Sequence, residues 1–136
     1  SADLDYVLGA AKNIAKFMSA EIMKCSVGGK VILNKLVSNT SIPQPDLCPK
    51  INNWTSANSR LVATAFENHF KAAKWENPHL IGFTGVSTCG VDITGKNVSA
   101  NLGVTCIDID FWGKKFEVGT NVSEKGEKIF SIISVD

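Results

Sequence analysis

The hydrophobic pattern of this chain changes along its length, and this change limits the folds that it can adopt. Residues 4–25 repeat apolar side chains at the 3.6-residue period of an α-helix, whereas residues 80–136 repeat them at the period of two that is typical of β-strands. A helix with one apolar face needs a second apolar surface to pack on, and a half-buried sheet supplies one. The sequence therefore predicts an α+β fold in which a long first helix covers a sheet.

The first helix is predicted over residues 1–25. The stretch "SVGGK" is expected to end it, because glycine adopts the left-handed conformation that follows many helices. The apolar side chains predicted to make the helix–sheet packing are Leu4, Val7, Leu8, Ala11, Met18 and Ile22.

The middle of the chain is predicted to contain a connecting loop and a short helix. Residues 26–58 are rich in Asn, Ser, Thr and Pro and have no sustained period, so they predict an irregular connection with room for a short strand at "KVILNKLV". Residues 59–76 carry a second helical pattern, with Asn58 or Ser59 as its N-cap and Pro78 marking its end.

The last part of the chain, residues 80–136, predicts an antiparallel sheet. Candidate strands lie near 80–93, 100–112, 115–122 and 128–135, and they are separated by "TGKN", "WGKK" and "SEKGE". If the first two strands form a hairpin around residues 97 and 98, Cys89 lies directly across from Cys106.

The four cysteines, Cys25, Cys48, Cys89 and Cys106, show no C-x-x-C spacing, which favours disulfides and an oxidising compartment over a zinc site. A bridge between Cys25 and Cys48 would tether the long loop to the first helix, and the hairpin register supports Cys89–Cys106 as the second bridge. The sequence alone leaves the other two connectivities open.

Composition and charge restrict the classes of function. With 136 residues, of which 44% are apolar, residues 1–136 are long enough for one domain with its own core. A net charge of +1 gives no electrostatic reason to expect nucleic acid as a partner. No apolar run approaches the roughly 20 residues that cross a bilayer.

No motif for catalysis occurs: H-E-x-x-H, G-x-S-x-G and glycine-rich phosphate loops are missing, so the sequence predicts neither an enzyme nor a cofactor. Asp108 and Asp110 lie on one face of a predicted strand and are weak candidates for a calcium site, with a solvated strand face as the preferred interpretation. Trp54, Trp75 and Trp112 are expected to pack in or beside the core, with a carbohydrate- or base-stacking platform as the alternative.

Several stretches together resemble the soluble domain of a type IV pilin or pseudopilin. "NIAKFMSAEIMKC" is similar to the end of the family's long first helix, "SIPQPDLCP" to its cysteine-containing loop and "TAFENHFKAAKWENPH" to its short second helix. "GVTCIDID" and "IFSIISV" are similar to its late strands. The resemblance implies a long N-terminal helix packed on a four-stranded antiparallel sheet.

The same resemblance implies a function. The chain would be a structural subunit of an extracellular filament on a bacterial surface, serving adhesion, motility, DNA uptake or secretion. Its partners would be like subunits and the inner-membrane assembly machinery, and a membrane-anchoring apolar segment would precede residue 1. The alternative hypothesis is a secreted membrane-active or ligand-binding defence protein that uses the first helix or the tryptophans.

Overall fold

The computed structural model describes residues 2–73, 86–87, 103–123, 125 and 127–135. The elements are helix α1 (Ala2–Ser26), strands β1 (Asn34–Val37) and β2 (Thr40–Pro43), helices α2 (Cys48–Ile51) and α3 (Ser56–Ala72), and strands β3 (Val86–Ser87), β4 (Thr105–Asp110), β5 (Lys115–Asn121) and β6 (Lys128–Ser134).

Helix α1 matches the predicted first helix closely. Its end is set by the chain after Ser26: the N–H of Gly29 donates to the Lys24 carbonyl at 2.8 Å, and Gly28 adopts a positive φ of 79°. The bond from Gly29 satisfies the Lys24 carbonyl, which the last turn of the helix leaves unpaired, and the positive φ of Gly28 allows the chain to turn back. A disulfide then joins Cys25, at the end of α1, to Cys48, at the start of α2, which confirms the predicted tether.

The segment predicted as a connecting loop, residues 26–58, contains more regular structure than the one short strand expected at "KVILNKLV", whose last four residues form β1. Strands β1 and β2 form an antiparallel hairpin, whose turn residues Ser38 and Asn39 have φ values of 49° and 63°. Positive φ at both turn positions suits the right-handed twist of a two-residue hairpin. The strands are only four residues each and largely exposed, so the hydrophobic pattern contained little signal for them.

Helix α3 begins three residues earlier than predicted and ends at Ala72. Thr55, rather than Asn58 or Ser59, is the N-cap: its Oγ1 accepts the Asn58 N–H at 3.0 Å. The sequence offers four polar residues within residues 55–59, and each of them is a suitable cap, so the pattern could not select one. Pro78 lies outside the described residues.

The main sheet has the strand order β3-β4-β5-β6. Strands β4, β5 and β6 form an antiparallel meander, whereas β3 has only two residues and runs parallel to β4. The predicted four-stranded antiparallel sheet is therefore wrong. Antiparallel pairing joins three strands of this sheet and, separately, the two strands of the β1–β2 hairpin.

The predicted register at Cys106 is also wrong, because Cys106 pairs in parallel with Ser87 of β3 on one side and antiparallel with Gly119 of β5 on the other. A period of two is the same for parallel and antiparallel neighbours, so the pattern could not separate them. Cys106 is a disulfide cysteine. Cys89 lies outside the described residues, and the Cys89–Cys106 bridge stays a prediction.

Helices α1 and α3 pack on one face of the main sheet, and the core lies between these two layers. Met18 of α1, Phe66 of α3 and Phe116 of β5 are completely buried. The ring of Phe17 meets the ring of Phe66 edge-on, with 6.2 Å between centroids. Burying one large apolar side chain stabilises a fold by about 1.5–3 kcal/mol, so this layer is the main source of stability.

Candidate interaction surface

Strand β6 forms an edge of the main sheet, and among the described residues no strand pairs with its outer side. Its sequence, "KIFSIIS", contains neither proline nor glycine, and its only charge is at the first residue. Natural edge strands usually carry charges, prolines or bulges that prevent pairing with another chain. β6 is therefore unusually open to association.

The two faces of β6 both present apolar side chains. Ile129, Ser131 and Ile133 point to the helix layer, and Ile129 is still 38% exposed. Phe130 and Ile132 point to the opposite face and are 49% and 53% exposed. An edge strand with exposed apolar groups on both faces is a typical association site.

The helix-side face of β6 lines an open groove with the N-terminal part of α1. Its volume is about 390 Å³, and its walls are mostly apolar. Leu8 stands at its rim and is 38% exposed. The residues that line this groove are Leu8, Gly9, Ala11, Lys12, Val118, Ile129 and Ser131.

On the opposite face, Phe130 lies across from Gly119 of β5, and Ile132 lies across from Glu117. Glycine has no side chain to cover its neighbour, so the ring of Phe130 stands over bare backbone and stays half exposed. We define the interaction surface as Leu8, Ile129, Phe130 and Ile132.

The backbone of β6 adds hydrogen-bonding groups to this surface. The Val135 N–H donates to the Lys114 carbonyl, and the Val122 N–H donates to the Glu127 carbonyl. Since bonding direction alternates along an antiparallel strand, residues 127, 129, 131, 133 and 135 bond to β5. The N–H and C=O groups of Phe130 and Ile132 consequently point to the outer edge.

The residues predicted for helix–sheet packing divide between core and surface. Ala11, Met18 and Ile22 are buried as expected. Leu8 is not buried. The prediction is wrong there because a helical wheel gives the angular position of a residue but does not show where along the helix the core ends. The side chains of Leu4 and Val7 lie outside the described set.

The two predicted carboxylates have different environments. Asp108 is 1% exposed, so it does not lie on a solvated face. Strand alternation places it on the sheet face away from the helices, but alternation does not say what covers that face. Asp110 accepts the Gly113 N–H at 2.9 Å and pairs with Lys115 at 3.5 Å, so it stabilises the β4–β5 turn. No group of three or more His, Cys, Asp or Glu that could hold a metal ion occurs in the described ranges.

The predicted tryptophans also differ in their environments. Trp54 packs beside the core as predicted: its Nε1 donates to the Phe111 carbonyl at 2.8 Å, and its ring meets Phe116 edge-on. Trp112, at the β4–β5 turn, is 86% exposed, which contradicts the predicted packing. Its ring contacts only the edge of Phe111 among the described aromatic rings. A turn can present a large side chain outward whatever its hydrophobicity. Trp75 lies outside the described residues.

His69 and Asp46 have shifted pKa values. Burial lowers the pKa of His69, with a smaller opposing effect from Glu21. The His69 ring stacks on Phe17 at 4.9 Å, and its Nδ1 accepts the Asn34 N–H at 3.0 Å. The backbone N–H groups of Val31 and, less strongly, Cys48 lower the pKa of Asp46. Both groups join the β1–β2 segment to the helices, and neither is near the interaction surface.

The sequence predicts β6 as a strand but does not predict its position at an exposed edge of the sheet. The uncharged run "IFSIIS" was the available signal, because such segments favour strand association wherever they are accessible.

Comparisons of the chain with protein-family models, with curated proteins and with solved structures find no match. The resemblance to type IV pilins therefore stays a prediction. In the part of the chain that the structure describes, no helix is both long and apolar enough to cross a membrane.

Proposed function

We propose that this chain is a structural subunit of an extracellular filament of the type IV pilus kind, with like subunits and an inner-membrane assembly machinery as its partners. The observation that supports this proposal is the open groove between α1 and β6, where Leu8 and Ile129 of the interaction surface are each 38% exposed. Contiguous exposed apolar groups usually mark a protein–protein contact. The proposal concerns assembly and does not depend on the predicted sheet.

The groove suits a neighbouring subunit because its two walls belong to different elements. Leu8 projects from a helix and Ile129 from a strand, so a side chain of another subunit would contact both at once. The Cys25–Cys48 disulfide holds the far end of α1 to α2, which limits loosening of this helix outside the cell.

Immunogold electron microscopy of the source cells tests the proposal. Antibodies against this chain are expected to label surface filaments, and deletion of the gene is expected to remove these filaments. A complementing copy with Leu8→Glu should restore few filaments, because a carboxylate at the groove would be desolvated by the neighbouring subunit.

Leu61→Glu is the matched control. Leu61 is 46% exposed on α3, away from the interaction surface, so this variant should restore filaments as well as the unmodified gene does. Thermal melts of both purified variants verify that each one folds. Surface filaments that persist unlabelled after deletion would contradict the proposal.

One observation favours the alternative of a membrane-active or ligand-binding defence protein. Trp112 is 86% exposed at a turn that also contains Lys114, and an exposed tryptophan close in sequence to a cation is suited to a lipid interface. Co-sedimentation with phosphatidylglycerol-containing vesicles and release of a trapped dye test this alternative. Binding that Trp112→Ala abolishes and Leu61→Ala preserves would support the membrane-active form, and no binding by the unmodified chain would exclude that form.

A further inference from the structure

We propose that the outer edge of β6 pairs with β6 of a second copy of this chain, antiparallel and about a two-fold axis at Ser131. This inference rests on the proposed function for its biological setting, since it names one contact between like subunits. Its test uses the purified chain without filaments, so the two ideas can fail separately.

The symmetry follows from the length of the strand. β6 runs from Lys128 to Ser134, and only a two-fold axis at its centre pairs the whole strand with its copy. In that register Phe130 lies opposite Ile132 of the second copy, Ile129 lies opposite Ile133, and Ser131 meets itself. Such an isologous contact uses the same patch twice.

The hydrogen-bonding pattern is consistent with this register. The outward-pointing backbone groups belong to Lys128, Phe130, Ile132 and Ser134, as the bonds at Val135 and Val122 establish. The central axis places these residues opposite one another, so Phe130 exchanges both backbone bonds with Ile132 of the second copy. If the axis instead lay between two residues, each residue with outward-pointing backbone groups would face a residue whose backbone groups already bond to β5.

The side chains are also compatible across the axis, and the pairing keeps the two lysines apart. The pairing covers Phe130 and Ile132, which are 49% and 53% exposed in the single chain. Aromatic and β-branched residues are favourable cross-strand pairs. Lys128 is the only charged residue in the strand, and it meets Ser134 rather than Lys128 of the second copy, which lies roughly 20 Å away at 3.4 Å per residue.

This closed pair differs from a filament contact. An isologous dimer uses up its surface and does not propagate, whereas a filament needs a contact between two different surfaces. The backbone edge of β6 would therefore join two subunits, and the groove beside Leu8 would remain for assembly along the filament.

Cysteine cross-linking of the full chain tests the pairing. Ser131→Cys places two thiols across the axis at a non-hydrogen-bonded pair, where Cα atoms are about 4.5 Å apart and a disulfide fits. Under mild oxidation most of this variant should become a covalent dimer that reductant returns to monomer. Ser134→Cys is the control, because its two thiols would be far apart. The native chain has no free cysteine among the described residues that would interfere.

Sedimentation velocity supplies the second measurement. Over a concentration series, the unmodified chain should shift from monomer to dimer, and Ile132→Lys should remain monomeric. Ile32→Lys is its control, because Ile32 is 50% exposed at a site remote from β6 and should leave the dimer unchanged. Circular dichroism verifies the fold of each variant, and if Ile132→Lys does not fold, the two cysteine variants decide alone.

Three results would overturn the inference. Equal cross-linking of the two cysteine variants would show random collision, and a monomer at every concentration would show that the edge does not pair. Large species without a discrete dimer would show stacking of strands in place of two-fold pairing.

Discussion

The two methionines of the chain provide a direct test of how α1 lies on the sheet. Met18 is completely buried, whereas Met23, five residues later on the same helix, is 66% exposed. Met18→Ala removes the end of a side chain that packs between the helix and sheet layers. The lost burial costs about 2 kcal/mol, and the cavity left in a closely packed core adds about 1 kcal/mol. We therefore expect a loss of about 3 kcal/mol in the free energy of unfolding.

Met23→Ala is the matched control. It removes the same atoms from an exposed site, and alanine is the better helix former, so its effect should stay within about 0.5 kcal/mol. Urea unfolding followed by circular dichroism measures both variants, and the slope m must remain unchanged for the comparison to hold. For a chain of this size, Met18→Ala should also lower Tm by about 10 °C. Equal losses for the two variants, or a loss below about 1 kcal/mol for Met18→Ala, would refute the placement of α1.

Three further predictions concern the segment between the helices. Burial lowers the pKa of His69 from its ordinary value of 6.5. As pH falls, His69 therefore binds a proton in the unfolded chain before it does so in the folded chain. The free energy of unfolding should consequently decrease as pH drops through 6.5 toward the folded-state pKa. In urea titrations between about pH 7.5 and 5, His69→Gln should flatten this dependence. Replacing Cys25 and Cys48 with alanine should lower the free energy of unfolding by about 3 kcal/mol, because the bridge closes a loop with a sequence separation of 23. Calorimetry measures this loss, and an unchanged Tm would contradict the prediction. Thr55→Ala should cost about 1 kcal/mol through loss of the α3 N-cap, and Thr55→Ser should restore most of it in the same melts.

The sequence predicted those features that local physics determines. The apolar arc of α1 requires a covered face, and Met18 and Ile22 are indeed buried. The glycines after Ser26 end the helix as expected. The tether between Cys25 and Cys48 followed from the need to fix a long polar segment, and the structure contains it. In each case the deciding residues lie within a short span of the chain.

The sequence did not predict features that depend on which strands become neighbours. The parallel pairing of Ser87 with Cys106 gives the same alternation of apolar and polar residues as an antiparallel pairing would. A buried Asp108 likewise gives the same alternation as an exposed one. The short strand expected at "KVILNKLV" overlaps β1, but β2 and the hairpin were missed because these exposed strands carry almost no hydrophobic pattern. The period of two could not predict these results, because it shows which side chains share a face of a strand and does not show which strands are neighbours.

The candidate surface combines both kinds of information. That "IFSIIS" forms a strand could be read from its β-branched and aromatic residues, but its exposure depends on β6 being last in the strand order. Had β6 been a central strand, the backbone groups of Phe130 and Ile132 would bond to a second neighbouring strand; at an edge, they remain available for association. Lys128 alone does not protect this edge, because it lies at one end and leaves six uncharged residues beyond it. Among the described residues no strand covers this edge, and a second copy of β6 is the partner that we propose, because it matches the strand in register and in hydrogen bonding.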